Sequence, residues 1–468
     1  MGIEKEKAYY KMKQDHKDNK DSSISKNILM TFTSRILVIL FGIVASVILA
    51  RVLGPTGKGI YSLIILIPSV IVTVGSFGIE ISNVYLLGSK KCKLMDVISM
   101  SFIFSVIISI ISISLLFLVY HFGFLQDFIN LNKINNIYFW LAVFSIFPSF
   151  LLLFLNNILL GQQKIKLYNL VNILEKVFFT IIVVVFLIFL SQGVFGAVMS
   201  YILSILLVTI FVIWVIRKDT PIQLSFNKSV FIKAIKYGLR GHIGNIAQFL
   251  NYRLDMFLIV AFIGPSALGI YTISILIAEK LWLLPTAIST ILFSKISSLR
   301  EVASNKLTSR VARHTIFIMF ISSLFLVLIS KPLIKGLFGE EFLPSVNPLL
   351  ILLPGIVALG VSKVFTADFS GRGSPEMGSY ASFISLFVNI SLNIWLIPLW
   401  GISGAAFAST ISYTLAMAVT MYEFKITSKE KIKDLLIIKL QDLRDYPKAF
   451  NKIKNGTWRI NNEKKKED

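Results

Sequence analysis

Three arginines lie inside apolar stretches of the sequence, where a charged side chain is costly and therefore needs a reason. They are Arg35, Arg240 and Arg253. A guanidinium stays charged in nearly any protein environment, and its planar, bidentate donors match phosphate oxygens. A membrane cavity that contained these residues would attract anions. A pyrophosphate, which cannot cross hydrocarbon unaided, fits that chemistry.

The stretch that contains Arg253, from Lys236 to Gly264, is the richest in polar groups. At ~100° per residue of helix, most of its polar side chains fall on one arc, and its large aliphatic side chains cover the opposite side. This pattern predicts a helix with one side on a hydrated cavity. The predicted substrate-binding residues, for pyrophosphate or sugar, are Arg35, Arg240, Asn245, Gln248, Asn251 and Arg253.

Each arginine also has a structural alternative. Arg253 lies ~15 Å from the outer end of its stretch, too deep to reach headgroups easily, but it could form an interhelical ion pair that only holds the bundle together. Arg35 and Arg240 lie nearer to the inner ends of their stretches, and their long side chains could extend to lipid headgroups. For Arg240 headgroup contact is the favoured interpretation.

Other charged residues within apolar stretches are candidates for ion coupling or for ion pairs between helices. They are Asp255, Glu279, Lys280 and Glu80. Glu279 and Lys280 are adjacent opposite charges, as are Glu175 and Lys176. Because neighbours in a helix diverge by ~100°, we expect each of these to pair with a residue of another helix.

Two prolines, Pro68 and Pro285, lie well inside apolar stretches. Proline removes a backbone hydrogen bond and permits a kink, so both are predicted gate or kink positions. Proline is also common in ordinary membrane helices.

The sequence predicts no catalytic group, metal site or cofactor. The single cysteine, Cys92, excludes an internal disulfide or a thiolate cluster, and the four histidines are scattered. The energy for transport could come from a proton gradient, a sodium gradient or the membrane potential, and no residue pattern identifies which.

These residues belong to a chain with the composition of a membrane protein. Of its 468 residues 55% are hydrophobic and 15% are charged, whereas ~25% are charged in a typical soluble protein. A hydrophilic stretch precedes the first apolar segment, so no cleavable signal peptide is expected. The apolar segments, each near the ~20 residues that cross a bilayer, are 28–50, 60–87, 97–120, 136–160, 167–190, 194–216, 234–263, 266–294, 312–337, 346–369, 378–399 and 401–422.

The net charge of +22 collects in loops and tails, which favours a membrane protein over a nucleic-acid-binding one. The cation-rich loops predict a multi-pass protein of the cytoplasmic membrane with both termini in the cytoplasm. The cationic exceptions on the outer side are Arg51, Lys58, Lys133, Lys331 and Lys335. The predicted regions are a cytoplasmic tail 1–27, an N-lobe 28–216, a cytoplasmic linker 217–233, a C-lobe 234–422 and a basic cytoplasmic tail 423–468.

An internal repeat relates the two lobes. Its anchors are the Gly-Pro motifs that begin at Gly54 and Gly264, which are 210 residues apart, and the glycines 161 and 371, at the same offset. A third pair, 193–197 and 401–405, is offset by 208. Because six helices separate equivalent points, both lobes have the same orientation. The predicted fold is an all-α integral membrane protein of about twelve transmembrane helices in two parallel-repeat, six-helix lobes.

The charged C-terminal tail also has apolar residues at helical spacing, namely Ile432, Leu435, Leu436, Leu440 and Leu443. They predict an amphipathic helix on the anionic inner leaflet. The alternative is a partly disordered, solubilising tail.

Three segments resemble the oligosaccharide flippase (polysaccharide biosynthesis) family of the multidrug/oligosaccharidyl-lipid/polysaccharide exporter superfamily. They read LARVLGPTGKGIYSL at 49–63, QFLNYRLDMFLIVAFIGPSALGIYTISILIAEKLWLLP at 248–285 and GISGAAFASTIS at 401–412. The resemblance extends over about 28–422. Arg253 and Asp255 match the family's Tyr-Arg-Leu-Asp stretch, and Glu279 matches its Ala-Glu-Lys-Leu-Trp stretch.

The resemblance implies a MATE-like, V-shaped transporter rather than an enzyme. It implies that a polyprenyl-pyrophosphate-linked oligosaccharide is moved from the inner to the outer leaflet by alternating access, for cell-surface polysaccharide biosynthesis. The implied partners are this substrate, membrane lipids, a glycan polymerase and glycosyltransferases.

Two other functions compete with this interpretation. A multidrug or organic-cation antiporter of the same fold would favour buried carboxylates without neighbouring arginine, and Glu80, Asp255 and Glu279 keep that function open. A membrane glycosyltransferase or glycan polymerase should present acids or cations on a sizeable outer loop. The outer connections SQG, GPS and PLWG are too short for that.

Overall fold

The regular structure of the described chain is helical. The computed structural model describes residues 2–123, 136–220, 225–439 and 442, with side-chain burial from residue 30 onward. In chain order the α-helices are α1 Gly2–Gly75, α2 Ile79–Gly88, α3 Leu94–His121, α4 Asn136–Phe144, α5 Ile146–Gly161, α6 Ile165–Val183, α7 Gly193–Asp219, α8 Lys228–Phe262, α9 Pro265–Ala278, α10 Leu283–Ile296, α11 Glu301–Phe338, α12 Val346–Gly371, α13 Glu376–Ser428 and α14 Ile432–Leu436.

Nine segments of the described chain are long and apolar enough to cross a membrane. Two of them, Met30–Gly75 with 46 residues and Glu376–Ser428 with 53 residues, would be ~70 and ~80 Å long as straight helices, more than twice the hydrocarbon thickness. Each contains a glycine with non-helical torsion angles, Gly54 (φ 63°) and Gly401 (φ 61°), so each is long enough for two spans. The all-α membrane fold is confirmed, and the count of twelve helices stays a prediction.

Large apolar side chains are exposed along these helices. Phe189, Leu328 and Phe387 are 75%, 74% and 73% exposed. A soluble protein rarely exposes so many large apolar groups, whereas a lipid-facing surface requires them.

The chain forms two compact units. The first unit comprises Met1–Ser274, Lys331–Pro348 and Ile390–Ala405, and the second comprises Ile275–Ser330, Leu349–Asn389 and Ala406–Asp468. The first unit thus holds the predicted N-lobe together with α8 and other parts of the predicted C-lobe. The two units group the segments that pack most densely, whereas the predicted lobes follow from the sequence repeat. The division into lobes therefore stays a prediction.

The repeat is visible in the packing of its glycines. A Cβ atom added to Gly161 would lie 3.0 Å from the carbonyl oxygen of Asn83, and one added to Gly371 would lie 3.1 Å from that of Phe293. Asn83 and Phe293 are themselves 210 residues apart. The same helix contact therefore occurs once in each half, which supports a structural repeat rather than a chance recurrence of loop glycines.

The break between α1 and α2 lies after Pro68, which is itself buried in continuous helix. Phe77 and Gly78 have positive φ angles of 50° and 71°. The break frees the carbonyl of Val74 from its helical donor, and Nε2 of His242 in α8 lies 3.1 Å from that oxygen. The break in this stretch is thus joined to α8.

The other proline, Pro285, is buried near the start of α10. A 3₁₀ turn, Glu279–Trp282, comes directly before α10. The helical geometry therefore changes just before this proline, in the second unit.

The start of the C-terminal tail is packed against helices of the second unit, to which it belongs. Leu435 is fully buried in a cluster with Phe365, Phe369 and Phe424, so its side chain contacts protein rather than lipid. Of the other residues of the predicted amphipathic helix, Ile432 is 40% exposed, and residues 440 and 443 lie outside the described part of the chain.

A buried ion pair anchors this tail. Nε of Arg313 in α11 lies 2.9 Å from Oδ2 of Asp442, and both side chains are less than a tenth exposed. The backbone N–H of Lys439 also donates to Asp442, at 3.1 Å, and the Arg313 guanidinium donates to the carbonyl of Asp434. Burial alone would raise the pKa of Asp442, but the hydrogen bonds from Arg313 and Lys439 hold that pKa below its ordinary value.

We predict that acid weakens the docking of this tail. A carboxyl group whose pKa is lowered by folding stabilises the folded state above its unfolded pKa, and that stabilisation is lost as the pH falls through the folded value. Amides of 432–436 should therefore exchange with deuterium faster below about pH 4, after correction for the intrinsic rate. Asp442→Asn should increase exchange at neutral pH, whereas Glu430→Gln, at an acid of the same segment, should not. Equal protection in all of these samples would contradict the prediction.

Candidate functional site

The candidate site is centred on α8. The side-chain oxygen of Asn227 accepts hydrogen bonds from the backbone N–H groups of Ser229 at 3.1 Å and Val230 at 3.4 Å. This N-cap satisfies donors that the first turn leaves free. It explains why the helix begins at Lys228, six residues before the predicted segment. Within the first unit, α8 packs on α1, α2 and α3.

The polar arc of α8 is divided between packed and open positions. Asn251 and Asp255 are only 2% and 1% exposed. Asn245 is exposed, and Gln248 and Arg253 are half-buried. The accessible polar groups of the arc are therefore Asn245, Gln248 and Arg253.

The arginines differ in their surroundings. Arg35 in α1 and Arg240 in α8 are exposed, and neither has a carboxylate partner among the residues that the structure describes. Arg253 donates a hydrogen bond to the backbone carbonyl of Tyr252 at 3.1 Å. The positive charges of Arg35 and Arg240 are thus open to a phosphate, either of a ligand or of a headgroup.

Asp255 is bound by a tyrosine that we did not assign from the sequence. The hydroxyl of Tyr271 in α9 donates to Oδ2 of Asp255 at 2.7 Å, and both residues are buried. A buried carboxylate needs donors of this kind, because its desolvation is otherwise uncompensated. The available signal was the second Gly-Ile-Tyr motif, at residues 269–271, which lies within α9.

In the second unit, Glu279 has a cationic neighbour on another helix, and the expected ion pair stays a prediction. It interacts electrostatically with Lys363 of α12, whose ammonium group lies 5.0 Å from the ring centre of Trp282. The sequence reasoning missed Lys363, although a lone lysine within the apolar segment 346–369 was a visible signal. Lys280, the remaining candidate of this pair, is half-buried.

The prediction for Glu175 and Lys176 was wrong. These neighbours pair with each other, with 2.7 Å between Nζ and Oε1, rather than across helices. The ~100° between adjacent positions separates Cβ atoms, but a lysine side chain is long enough to bend back towards a nearby carboxylate.

Glu80 is a partly uncompensated acid of the first unit. It lies in the first turn of α2, where the helix N-terminus favours a negative charge. Its Oε2 atom is buried without a hydrogen-bond partner among the described residues.

Among all the residues that the structure describes, no group of three His, Cys, Asp or Glu residues is placed to hold a metal ion.

The ion pair of Asp368 and Arg372 was not predicted from the sequence, and both side chains have further hydrogen-bond partners. Asp368 is completely buried and accepts from Nε of Arg372 and from the hydroxyl of Thr308, each at 2.6 Å. Arg372 also donates to Asn305 at 2.6 Å. This network joins α11 to α12 and leaves little capacity for a ligand, which is the pattern of a structural ion pair.

Comparison with known proteins gives one family match. A family described as "Polysaccharide biosynthesis protein" matches residues 48–347. A protein of Haloferax volcanii named as the flippase AglR is 24% identical over 54% of this chain and 54% of its own length. A protein of Shigella flexneri named as an O-antigen transporter is 24% identical over 84% of this chain and 96% of its own length.

Solved structures share the fold. The lipid II flippase MurJ, in an inward closed conformation, superposes with a TM-score of 0.73 at 18% identity, over 92% of this chain and 93% of MurJ. An inward-facing multidrug resistance MATE transporter superposes with a TM-score of 0.70 at 14% identity, over 86% and 99% of the two chains. The superpositions show the shared fold, and the relatives, which are named as a flippase and a transporter, confirm the expectation of a transporter rather than an enzyme.

We predict that Tyr271→Phe destabilises the first unit. The substitution removes the donor to a buried carboxylate and should lower the free energy of unfolding by ~1–3 kcal/mol, measured as a fall in the thermal unfolding midpoint in detergent. Tyr61→Phe is the matched control, because Tyr61 is the repeat equivalent and has no carboxylate acceptor among the described residues. Equal midpoints for the two variants would show that the hydrogen bond contributes nothing.

Proposed function

The chain belongs to the polysaccharide biosynthesis protein family, and on that basis we propose that it flips a polyprenyl-pyrophosphate-linked oligosaccharide from the inner to the outer leaflet of the cytoplasmic membrane. The names of its relatives, which include flippases and an O-antigen transporter, support a lipid-linked glycan as the cargo. The glycan would then serve cell-surface polysaccharide biosynthesis, with glycosyltransferases before this step and a glycan polymerase after it.

The observation that carries the proposal is the imbalance of charge in the first unit. Arg35 and Arg240 are accessible and have no acid partner among the described residues, so a pyrophosphate would supply the missing negative charge. Asp255, by contrast, is already bound by Tyr271. An anionic headgroup is therefore better matched than a cation.

In the proposed mechanism the headgroup enters a cavity from the cytoplasmic side. The pyrophosphate binds Arg253, with Arg35 and Arg240 nearer to the entrance. The amides of Asn245 and Gln248 are suited to sugar hydroxyls, because they both donate and accept hydrogen bonds. The polyprenyl chain stays in lipid, and rocking of the two repeats exposes the headgroup to the outside. A proton gradient, a sodium gradient or the membrane potential would set the direction.

One observation favours the alternative, a multidrug or organic-cation antiporter. The Oε2 atom of Glu80 is buried without a hydrogen-bond partner in the described chain, and such a carboxylate could bind a cation or a proton. In the second unit, however, Lys363 lies close to Glu279. An ammonium group there would disfavour a cationic cargo by repulsion.

We predict that Arg253→Ala slows the flipping of a labelled polyprenyl-pyrophosphate oligosaccharide in proteoliposomes by about 10- to 100-fold, because a charge-assisted phosphate contact contributes ~1.5–3 kcal/mol. Arg253→Lys keeps the charge without the planar fork and should retain part of the rate. Arg300→Ala, at an exposed arginine between α10 and α11, is the control and should flip at the wild-type rate.

Two results would contradict the proposal. Wild-type flipping by Arg253→Ala would remove this residue from the mechanism. Transport of a fluorescent organic cation by the wild-type protein, without any flipping of the glycan lipid, would favour the antiporter.

A further inference from the structure

The two Gly-Pro motifs of the repeat contact each other at one end of the first unit, which we call the Gly-Pro end and define by residues 51–59, 264–269 and 336–341. A Cβ atom added to Gly59 would lie 1.7 Å from the carbonyl oxygen of Pro265. One added to Gly269 would lie 1.9 Å from the carbonyl oxygen of Pro55. No side chain fits at either glycine, so bare backbone meets bare backbone.

This contact is reciprocal. Gly59 and Gly269 are 210 residues apart, as are Pro55 and Pro265, so each motif presents its glycine to the equivalent proline carbonyl of the other. Such a self-complementary contact is the intramolecular counterpart of a two-fold interface between identical subunits. Small residues allow this close approach of helices in membranes, where packing and weak Cα–H···O contacts hold them together.

An arginine adds a charged link at the same end. Nε of Arg51, near the break of α1, donates to the carbonyl of Leu337 at 2.7 Å, and the same guanidinium donates to the carbonyl of Gly336. These carbonyls are in the last turn of α11, where helical donors run out and the helix dipole is negative. Arg51 thereby links the predicted N-lobe to a helix of the predicted C-lobe.

This link accounts for a charge that the sequence left unexplained. Arg51 is one of the few cations on the predicted outer side. Its exposed guanidinium binds helix-end carbonyls instead of contributing to the charge bias that orients the protein. A lysine could not replace it fully, because a single ammonium lacks the planar fork that reaches two successive carbonyls.

We propose that the paired glycines and the Arg51 fork form a latch that holds the Gly-Pro end closed. Closure brings the two motifs into backbone contact, and the Arg51 hydrogen bonds must break before this end can open. The latch rests on the proposed function in one respect: opening at this end, the outer end in the predicted topology, is the step that would release the flipped headgroup. The strength of the latch then sets the balance between closed and open states.

The test measures distances between spin labels at Leu190→Cys and Leu399→Cys, on a Cys92→Ser background that removes the single native cysteine. Both leucines are more than half exposed and lie in the first unit, so labels there disturb no packed contact. Pulsed electron resonance in detergent and in nanodiscs needs no cargo. It reports directly whether the Gly-Pro end opens.

We expect one short-distance population with the latch intact. Arg51→Ala should raise the ratio of long to short distances about tenfold, the effect of losing a charge-assisted hydrogen bond. Gly59→Ala should largely abolish the short population, since its methyl group cannot fit. Gly42→Ala, in mid-helix with no atom within 4 Å of the added Cβ, is the control and should match the parent. Arg51→Lys, which keeps the charge, should give an intermediate ratio. This variant still tests the latch if Arg51→Ala does not fold.

The latch is refuted if Arg51→Ala and Gly59→Ala, eluting as folded protein, keep the parent distances. A shift in distances by a protein that flips no glycan lipid would support the latch and refute only the cargo. Normal flipping by latch variants with unshifted distances would refute only the latch.

Discussion

A charge among apolar helices must be compensated by the protein or reserved for a ligand, and this requirement separates the charged residues of the chain into two kinds. Asp368 and Arg372 form a saturated network, and Asp255 is bound by Tyr271, so these groups stabilise packing. Arg35 and Arg240 have no acid partner among the described residues. Glu80 is the exception among the acids, because its Oε2 atom is buried without a hydrogen-bond partner in the described chain. In the proposed function, the phosphates of the cargo complement the two open arginines.

The same requirement applies to the backbone. In lipid each peptide group needs a partner, so a helix can break only where something replaces the lost hydrogen bonds. At the α1–α2 break His242 lies against the freed carbonyl of Val74. At the end of α11, Arg51 binds two carbonyls that the helix cannot satisfy. In both places the replacement comes from a distant part of the chain, so the helix end and the packing of the unit depend on each other.

The repeat connects these local features to transport. Equivalent glycines make equivalent contacts in the two halves, as Gly161 and Gly371 do, and at the Gly-Pro end the two motifs meet each other. The two related motifs approach closely there through equivalent glycines, and the Arg51 side chain adds hydrogen bonds at the same end. The proposed function assigns recognition of the cargo to other residues, the exposed or half-buried Asn245, Gln248 and Arg253 of α8.

Much of this protein was determined by the sequence alone, because long apolar runs are typical of membrane helices and because glycine motifs recur at offsets of 210 and 208 residues. The candidate arginines were equally visible, since a charge in such a run stands out. The sequence did not show which residues these charged side chains would contact. The structure decided that Glu175 pairs with its neighbour Lys176 and that Glu279 interacts with Lys363. It also decided that the hydroxyl of Tyr271 donates to Asp255 and that Arg51 binds the carbonyls at the end of α11. Composition and periodicity report which face of a helix a residue occupies, but the atom that meets it depends on how helices distant in sequence pack together.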